Sequence, residues 1–265
     1  MKASKSLGFV SLVGGGPGDP ELLTYRAIQR LRDADVVFYD GLVPKPVVRL
    51  AAGAKHVSVA RRSGKKDVTQ EEVSDLLVEA ARRGKKVVRL KAGDPFVLGR
   101  GGEEARALSQ AGVPFEVVPG VTSAIGAPSL AGIPVTHRGL ASGFLVVSGH
   151  APESYSHVLG SLPPDSVTVV VLMGIAERAR IATFLVRARW RKETPTAIVT
   201  SASQPDQRVW TGTLEDLGSK TPTFGRREPG VIIIGDVVSV ATAPTIALSV
   251  SAQEHTWQPT TIQRP

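Results

Sequence analysis

The sequence predicts an α/β fold. Short apolar runs rich in Val and Ile alternate with longer stretches whose apolar residues recur at helical spacing. Several of the apolar runs end in Gly- or Pro-containing turns that feed the next helical stretch, the pattern of strands whose carboxyl ends share one edge of a parallel sheet. The chain also changes character around positions 132–141 (GIPVTHRGLA), which reads as a hinge between two halves.

Taken in order, Leu7 to Val13 reads as a first strand and is followed by Gly14-Gly15-Gly16-Pro17-Gly18-Asp19-Pro20. Asp19 suits an N-cap and Pro20 the first helical position, so a helix is expected from there to Arg32 with Leu23, Ala27 and Leu31 on its inner side. Val36 to Tyr39 is a second strand ending at Asp40, and Val57 to Ala60 a short third one. Arg61 to Asp67 reads as a basic, mobile loop. Thr69-Gln70-Glu71-Glu72 is a capping box that opens a helix stopped by Gly84. In Lys86 to Glu104 (KVVRLKAGDPFVLGRGGEE), Val87, Val88 and Leu90 suit a buried strand, Ala92-Gly93-Asp94-Pro95 a sharp turn, and Glu103 and Glu104 a helix N-terminus. A strand at Phe115 to Val118 then runs through Pro119-Gly120 into a helix opened by Thr122 and Ser123.

Past the hinge, strands are expected at Phe144–Val147, Val167–Leu172, Thr196–Thr200, from Val209, and at Val231–Ile234. Helices are expected at Ala176–Arg189 and Leu214–Leu217. The domains are therefore drawn as 1–136 and 137–252, with the polar, Pro-containing tail 253–265 expected to be disordered.

Composition removes several function classes. With no Cys there is no disulfide, thiolate nucleophile or Cys-ligated metal. The five His are singletons without H-E-x-x-H or i, i+4 spacing, so no metal is expected. No apolar run reaches the length of a membrane span, and the short apolar run after Lys2 and Lys5 reads as a strand and not a leader; a cytoplasmic location is expected. The net charge of +8 fits a nucleic acid or a strongly anionic small molecule. The basic residues come in scattered pairs and only 5% of residues are aromatic, which argues against a base-stacking surface. The first loop is no dinucleotide fingerprint, because G-x-G-x-x-G would need Gly where Asp19 stands, and no Lys-Ser/Thr closes it as a P-loop. What remains is a set of small-residue loops at strand ends, with Asp40, Asp94 and scattered Arg.

The segments VGGGPGDPELLT, YDGLV, RLKAGDPFVLGRGGEE, PGVTSAIGAPSLAGIPVTHRGLA and VVSGH resemble the uroporphyrinogen-III C-methyltransferase family of the tetrapyrrole methylase superfamily, from about Leu7 to about Val240. The resemblance implies two α/β domains with S-adenosylmethionine folded in the cleft between them, in a homodimer. It also implies methylation of carbons 2 and 7 of uroporphyrinogen III, giving precorrin-2 by way of precorrin-1 and feeding sirohaem and cobalamin-type routes. The eight carboxylates of that substrate would account for the basic surplus. The cofactor contacts it implies fall on Pro17, Ala92, Gly93, Asp94, Val97, Thr122, Ser123, Met173 and Ala202. The family's proton acceptor falls on Asp40, and its partner lysine on Arg61, which as an arginine is a poor proton donor. Gly41 stands where the family has Arg, and Ala92 where it has Gly. Arg100 and Arg138 are further candidates for the substrate carboxylates. Another precorrin methyltransferase and an RNA methyltransferase of the same superfamily are the alternative readings within the resemblance, and a nucleotide-cofactor oxidoreductase the alternative outside it.

Overall fold

The computed structural model describes residues 6–59, 68–221, 223–224 and 228–242. Ala60, the loop 61–67 with Arg61, and the tail 253–265 lie outside the described residues.

The first half builds a five-stranded sheet from β1 (Phe9–Gly14), β2 (Val36–Tyr39), β3 (Lys55–Ser58), β4 (Lys86–Lys91) and β5 (Phe115–Val118). The order is β3-β2-β4-β1-β5 and every pairing is parallel, so all five carboxyl ends share one edge. Tyr39, Leu90, Val13 and Val118 stand in register across four of the strands.

Parallel strands need helical crossovers, and these cover both faces. On one face lie α1 (Tyr25–Arg32) and α2 (Lys45–Arg49), with Leu31 and Val47 buried against Val13, Val88 and Leu90. On the other lie α3 (Gln70–Arg82) and α4 (Gly101–Gln110), where Leu77 and Leu108 meet Leu12 and Val87. Leu77 and Leu108 are fully buried and each stabilises the fold by about 2 kcal/mol. The capping box at Thr69 and Glu72 is formed in both directions.

The expected helix from Pro20 to Arg32 is broken. Pro20–Leu22 forms a 3-10 turn capped by Asp19, Leu23 and Thr24 are extended, and Thr24 starts α1 afresh by accepting from the Ala27 amide. A Thr side chain that bonds its own downstream backbone favours a cap over a helix interior.

The second half builds another five-stranded sheet from β6 (Phe144–Ser148), β7 (Thr168–Leu172), β8 (Pro195–Thr200), β9 (Arg208–Thr213) and β10 (Gly230–Ile234), in the order β6-β7-β10-β8-β9. This sheet is mixed: β6 and β7 are parallel, whereas β10 runs antiparallel to both β7 and β8. α6 (Ser156–Ser161), α7 (Arg178–Arg187) and α8 (Leu214–Ser219) pack on one face. The other face is covered by α5 (Ser123–Leu130), which follows β5 in the chain. Its Ala124 and Ala127, with Ala131 at its C-cap, are small enough to let it lie close on Val170, Val199 and Ile233. α5 thus begins at the edge of the first sheet and buries its side against the second.

Candidate active site

Three loops leave the carboxyl edge of the first sheet and meet through backbone atoms. Gly16 and Gly93 exchange hydrogen bonds, N to O at 3.1 Å and 2.8 Å, and the Gly15 amide donates to the Lys91 carbonyl at 2.7 Å. Gly120 lies against both: a Cβ there would stand 2.3 Å from the Gly93 oxygen and 2.8 Å from Gly14. Only a residue without a side chain permits that approach. Asp94 locks the arrangement, with Oδ2 accepting from Gly120 N at 3.1 Å and Oδ1 from Phe96 N at 2.8 Å. Thr122 caps α5 by accepting from the Ala124 amide, and Pro17 rests on α5, its ring 3.5 Å from where a Cβ of Gly126 would lie. Pro17, Ala92, Gly93, Asp94, Thr122 and Ser123 are therefore neighbours, and Val97 follows directly, its amide donating to the Asp94 carbonyl at 3.4 Å.

The second sheet contributes from one of its own edges. Leu172, Val231 and Val199 are in register, so Met173 and Ser201 leave the same edge with β10 between them. Met173, Ser201 and Ser203 all hold positive φ (58°, 48° and 67°), an uncommon run of non-Gly left-handed residues that clusters in functional turns. The Asp19 amide donates to Ser203 Oγ at 2.9 Å, and the Gln204 side chain lies over Gly18. This contact joins the first loop of one half to the loop of the other that carries Ala202.

Beside these loops Asp40 joins a buried cluster of charge whose two cations, Arg89 and Lys91, the sequence did not mark out. Arg89 and Lys91 alternate with Leu90, so both face the α3–α4 side of the sheet, and both are buried. Glu104 of α4 is buried with them. Its Oε1 accepts from Arg89 Nε at 2.8 Å, from Lys91 Nζ at 3.2 Å and from Gln70 Nε2 at 3.0 Å. Asp40, at the end of β2, pairs with Arg89 through Oδ1 and stands 3.8 Å from Lys91 Nζ through Oδ2. Burial alone would lower the Arg89 pKa, but the Asp40 and Glu104 carboxylates outweigh it and hold it raised. Lys91 goes the other way: burial and then the Arg89 charge lower its pKa, and the two carboxylates only partly compensate. The signal in the sequence was R-L-K, two cations on one face of a strand otherwise made for a core.

The two arginines proposed for carboxylates are not brought together. Arg100 sits beside the loop after Asp94, at positive φ, and is paired with Glu103 at 2.6 and 3.0 Å while still exposed. Arg138 lines an open hollow of about 620 Å³ with Ser166, just before β7 starts, whereas Met173 follows its far end. A five-residue strand separates the two positions by roughly 17 Å.

The loop cluster suits an adenosyl sulfonium. Pro17, Ala92, Gly93, Thr122, Ser123, Met173 and Ala202 are uncharged and Asp94 is acidic, so no cation is set against a positive donor. The glycine turns let the three loops pack backbone to backbone with no side chain between them. Among the described residues no group of three or more His, Asp or Glu could hold a metal, and no helix is long and apolar enough to cross a membrane.

Comparison with known proteins agrees with this architecture. Residues 10–218 match the family model for tetrapyrrole (corrin/porphyrin) methylases. The chain is 47% identical over 238 residues to the uroporphyrinogen-III C-methyltransferase of Methanocaldococcus jannaschii, covering 88% of this chain and 98% of that protein. It is 42% identical to the siroheme synthase of Actinobacillus pleuropneumoniae over 97% of this chain, and spans only 54% of that longer protein. The solved uroporphyrin-III C-methyl transferase of Thermus thermophilus, complexed with S-adenyl homocysteine, superposes with a TM-score of 0.76 at 44% identity, covering 88% of this chain and all of that one. On these matches, the chain belongs to the tetrapyrrole methylase family.

Proposed function

We propose that this chain is an S-adenosylmethionine-dependent uroporphyrinogen-III C-methyltransferase that methylates carbons 2 and 7, forming precorrin-2 by way of precorrin-1. One observation carries the reading: the backbone-lined loops of both sheets converge in a chain 44% identical, over 88% of its length, to an enzyme solved with S-adenyl homocysteine.

The residues divide the work. Pro17, Ala92, Gly93, Asp94, Val97, Thr122 and Ser123 hold the cofactor from the first sheet, and Met173 and Ala202 from the second. Bound there, S-adenosylmethionine supplies an electrophilic methyl group whose leaving group is neutral. The chain's own task is then to hold a ring carbon in line with it and to exclude water, which is where proximity and orientation contribute most. The new C–C bond leaves the ring one proton in excess, and Asp40, partly exposed at the end of β2, accepts it. Arg100 binds a substrate carboxylate; Arg61 serves this purpose and not proton donation, since its guanidinium keeps its proton.

The test is anaerobic incubation with uroporphyrinogen III and methyl-labelled S-adenosylmethionine. The expected product carries two added methyl groups. Turnover only on a ring that is already methylated would reassign the chain to a later precorrin methyltransferase. No uptake with either substrate would refute the reading.

A further inference from the structure

β4 buries two cations where its neighbours on the same face are apolar. Arg89 and Lys91 are each 3% exposed and Glu104 is 0% exposed. One oxygen of Glu104 serves three donors, while Oε2 is buried with no hydrogen-bond partner among the described residues. Stability alone does not call for such a cluster, because apolar side chains of similar volume serve as well or better. Its geometry has a direction. Of its four charged members only Asp40 reaches solvent, at 34% exposure, and it does so at the edge from which the loops emerge.

We propose that Lys91 is a positioning residue for Asp40: its ammonium, anchored from behind by Glu104, faces the Asp40 carboxylate and keeps it turned toward the strand-end loops. The inference rests on the functional reading above, in which Asp40 accepts the ring proton. The two cations divide the carboxylate, Arg89 taking Oδ1 and Lys91 facing Oδ2. Glu104 fixes both from the buried side, and Gln70 of α3 adds a neutral donor. Among the described residues, Arg89 and Lys91 are the cations within ion-pair distance of Asp40, and Glu104 bears on it only through them. When Asp40 takes up the proton, a C–H bond of the ring breaks and a carboxyl O–H forms. The cluster then passes from balanced charge to one surplus positive. That surplus expels the proton to water on the exposed side and readies the carboxylate for a second methylation.

The test is a carbon-13 titration of the Asp40 carboxyl, assigned with Asp40→Asn, in the wild type, Lys91→Met, Lys91→Arg and Glu104→Gln. Lys91→Met should raise the Asp40 midpoint by roughly one pH unit, as loss of a close cation does, and Lys91→Arg should restore it. Glu104→Gln removes an anion at constant shape and should lower the midpoint, which covers the case in which Lys91→Met does not fold. The acid limb of kcat/KM should move by the same amounts, with affinity for S-adenosylmethionine kept within about twofold. An Asp40 midpoint that is the same in the wild type, Lys91→Met and Glu104→Gln would overturn the proposal. Because the titration needs no turnover, the two readings separate. Shifted midpoints in a wild type that transfers no methyl group uphold the network and remove the functional reading, and unmoved midpoints in an active enzyme remove the network alone.

Discussion

Asp94 Oδ2 accepts a hydrogen bond from the Gly120 amide at 3.1 Å, so the carboxylate that follows β4 ties down the turn that follows β5. Its other oxygen holds the Phe96 amide at 2.8 Å. A residue that the resemblance places among the cofactor contacts is thus already engaged with two backbone donors. Each carboxylate oxygen can accept more than one hydrogen bond, so a ligand contact would add to these and not replace them.

Asp94→Ala should therefore act on the fold and on the cofactor together. Losing two partly solvated bonds to a charged acceptor costs about 2 kcal/mol, read as a fall in the thermal midpoint. Calorimetry should show at least a tenfold loss of affinity for S-adenosylmethionine, roughly the 1.4 kcal/mol that a displaced loop would cost. Asp94→Asn, which keeps one good acceptor, should fall between. A variant as stable as the wild type with undiminished affinity would show that the loops hold without this carboxylate.

The glycine contact makes a harder prediction. A Cβ on Gly120 would lie 2.3 Å from the Gly93 oxygen and 2.8 Å from Gly14, and backbone on both sides leaves nothing free to rotate away. Gly120→Ala should cost more than about 3 kcal/mol in denaturant unfolding, among the larger single-site effects. Gly102→Ala is the control. That glycine lies in α4 with nothing within 4 Å of its added methyl, so the change should stabilise by up to about 1 kcal/mol. Equal effects at the two sites would contradict the packing described.

Acid should weaken the link between β5 and α1. The Arg30 guanidinium, assisted by Ser11, holds the Glu116 carboxyl below its ordinary value near 4.5, with burial opposing. A depressed folded pKa adds stability that is complete above the unfolded value and is lost as pH falls through the folded one. The window therefore opens below about pH 4.5. Because Arg30 is 36% exposed, the pair contributes about 1 kcal/mol or less. Glu116→Gln should remove that part of the pH dependence between pH 3 and 5 in urea titrations while leaving the slope above pH 6 unchanged. An identical acid profile in the variant would show that the pair does not form in solution.

Periodicity and turn residues made most strands and the loops that follow them legible, because burial on both faces leaves few alternatives to Val- and Ile-rich runs. Helices were less so. α2 and α6 are five and six residues long, too short to show an apolar stripe, and Thr24 splits a helix whose pattern reads as continuous. The mixed direction of the second sheet was hidden for another reason: the antiparallel β10 carries the same continuous apolar run as a parallel strand buried on both faces. At the site, the glycine turns were visible in sequence, since only glycine tolerates such approach. Glu104 was legible only as a residue favouring a helix N-terminus, and Arg89 and Lys91 were not singled out. Their meaning lies in a pairing across 13 to 15 positions between a strand and a helix, and no local spacing announces it.

Arg100 offers a test in which stability and binding separate. It caps α4 with φ 58° and ψ 13°, a conformation that costs an L-residue about 1–2 kcal/mol and glycine almost nothing. Its bond to Glu103 is exposed and worth little. Arg100→Gly should therefore leave the unfolding midpoint unchanged or slightly raised, the relief of strain offsetting glycine's greater freedom in the unfolded chain. If Arg100 meets a substrate carboxylate, the same variant should raise KM for uroporphyrinogen III several-fold with kcat preserved, the signature of lost uniform binding. Arg138→Ala supplies the contrast, because Arg138 lies at the opposite end of β7 from Met173. It should leave KM unmoved if the carboxylates are held at the strand-end loops. The reverse result, KM raised by Arg138→Ala and not by Arg100→Gly, would move the substrate's acidic rim to the hollow beside Ser166 and require the macrocycle to reach across the second sheet.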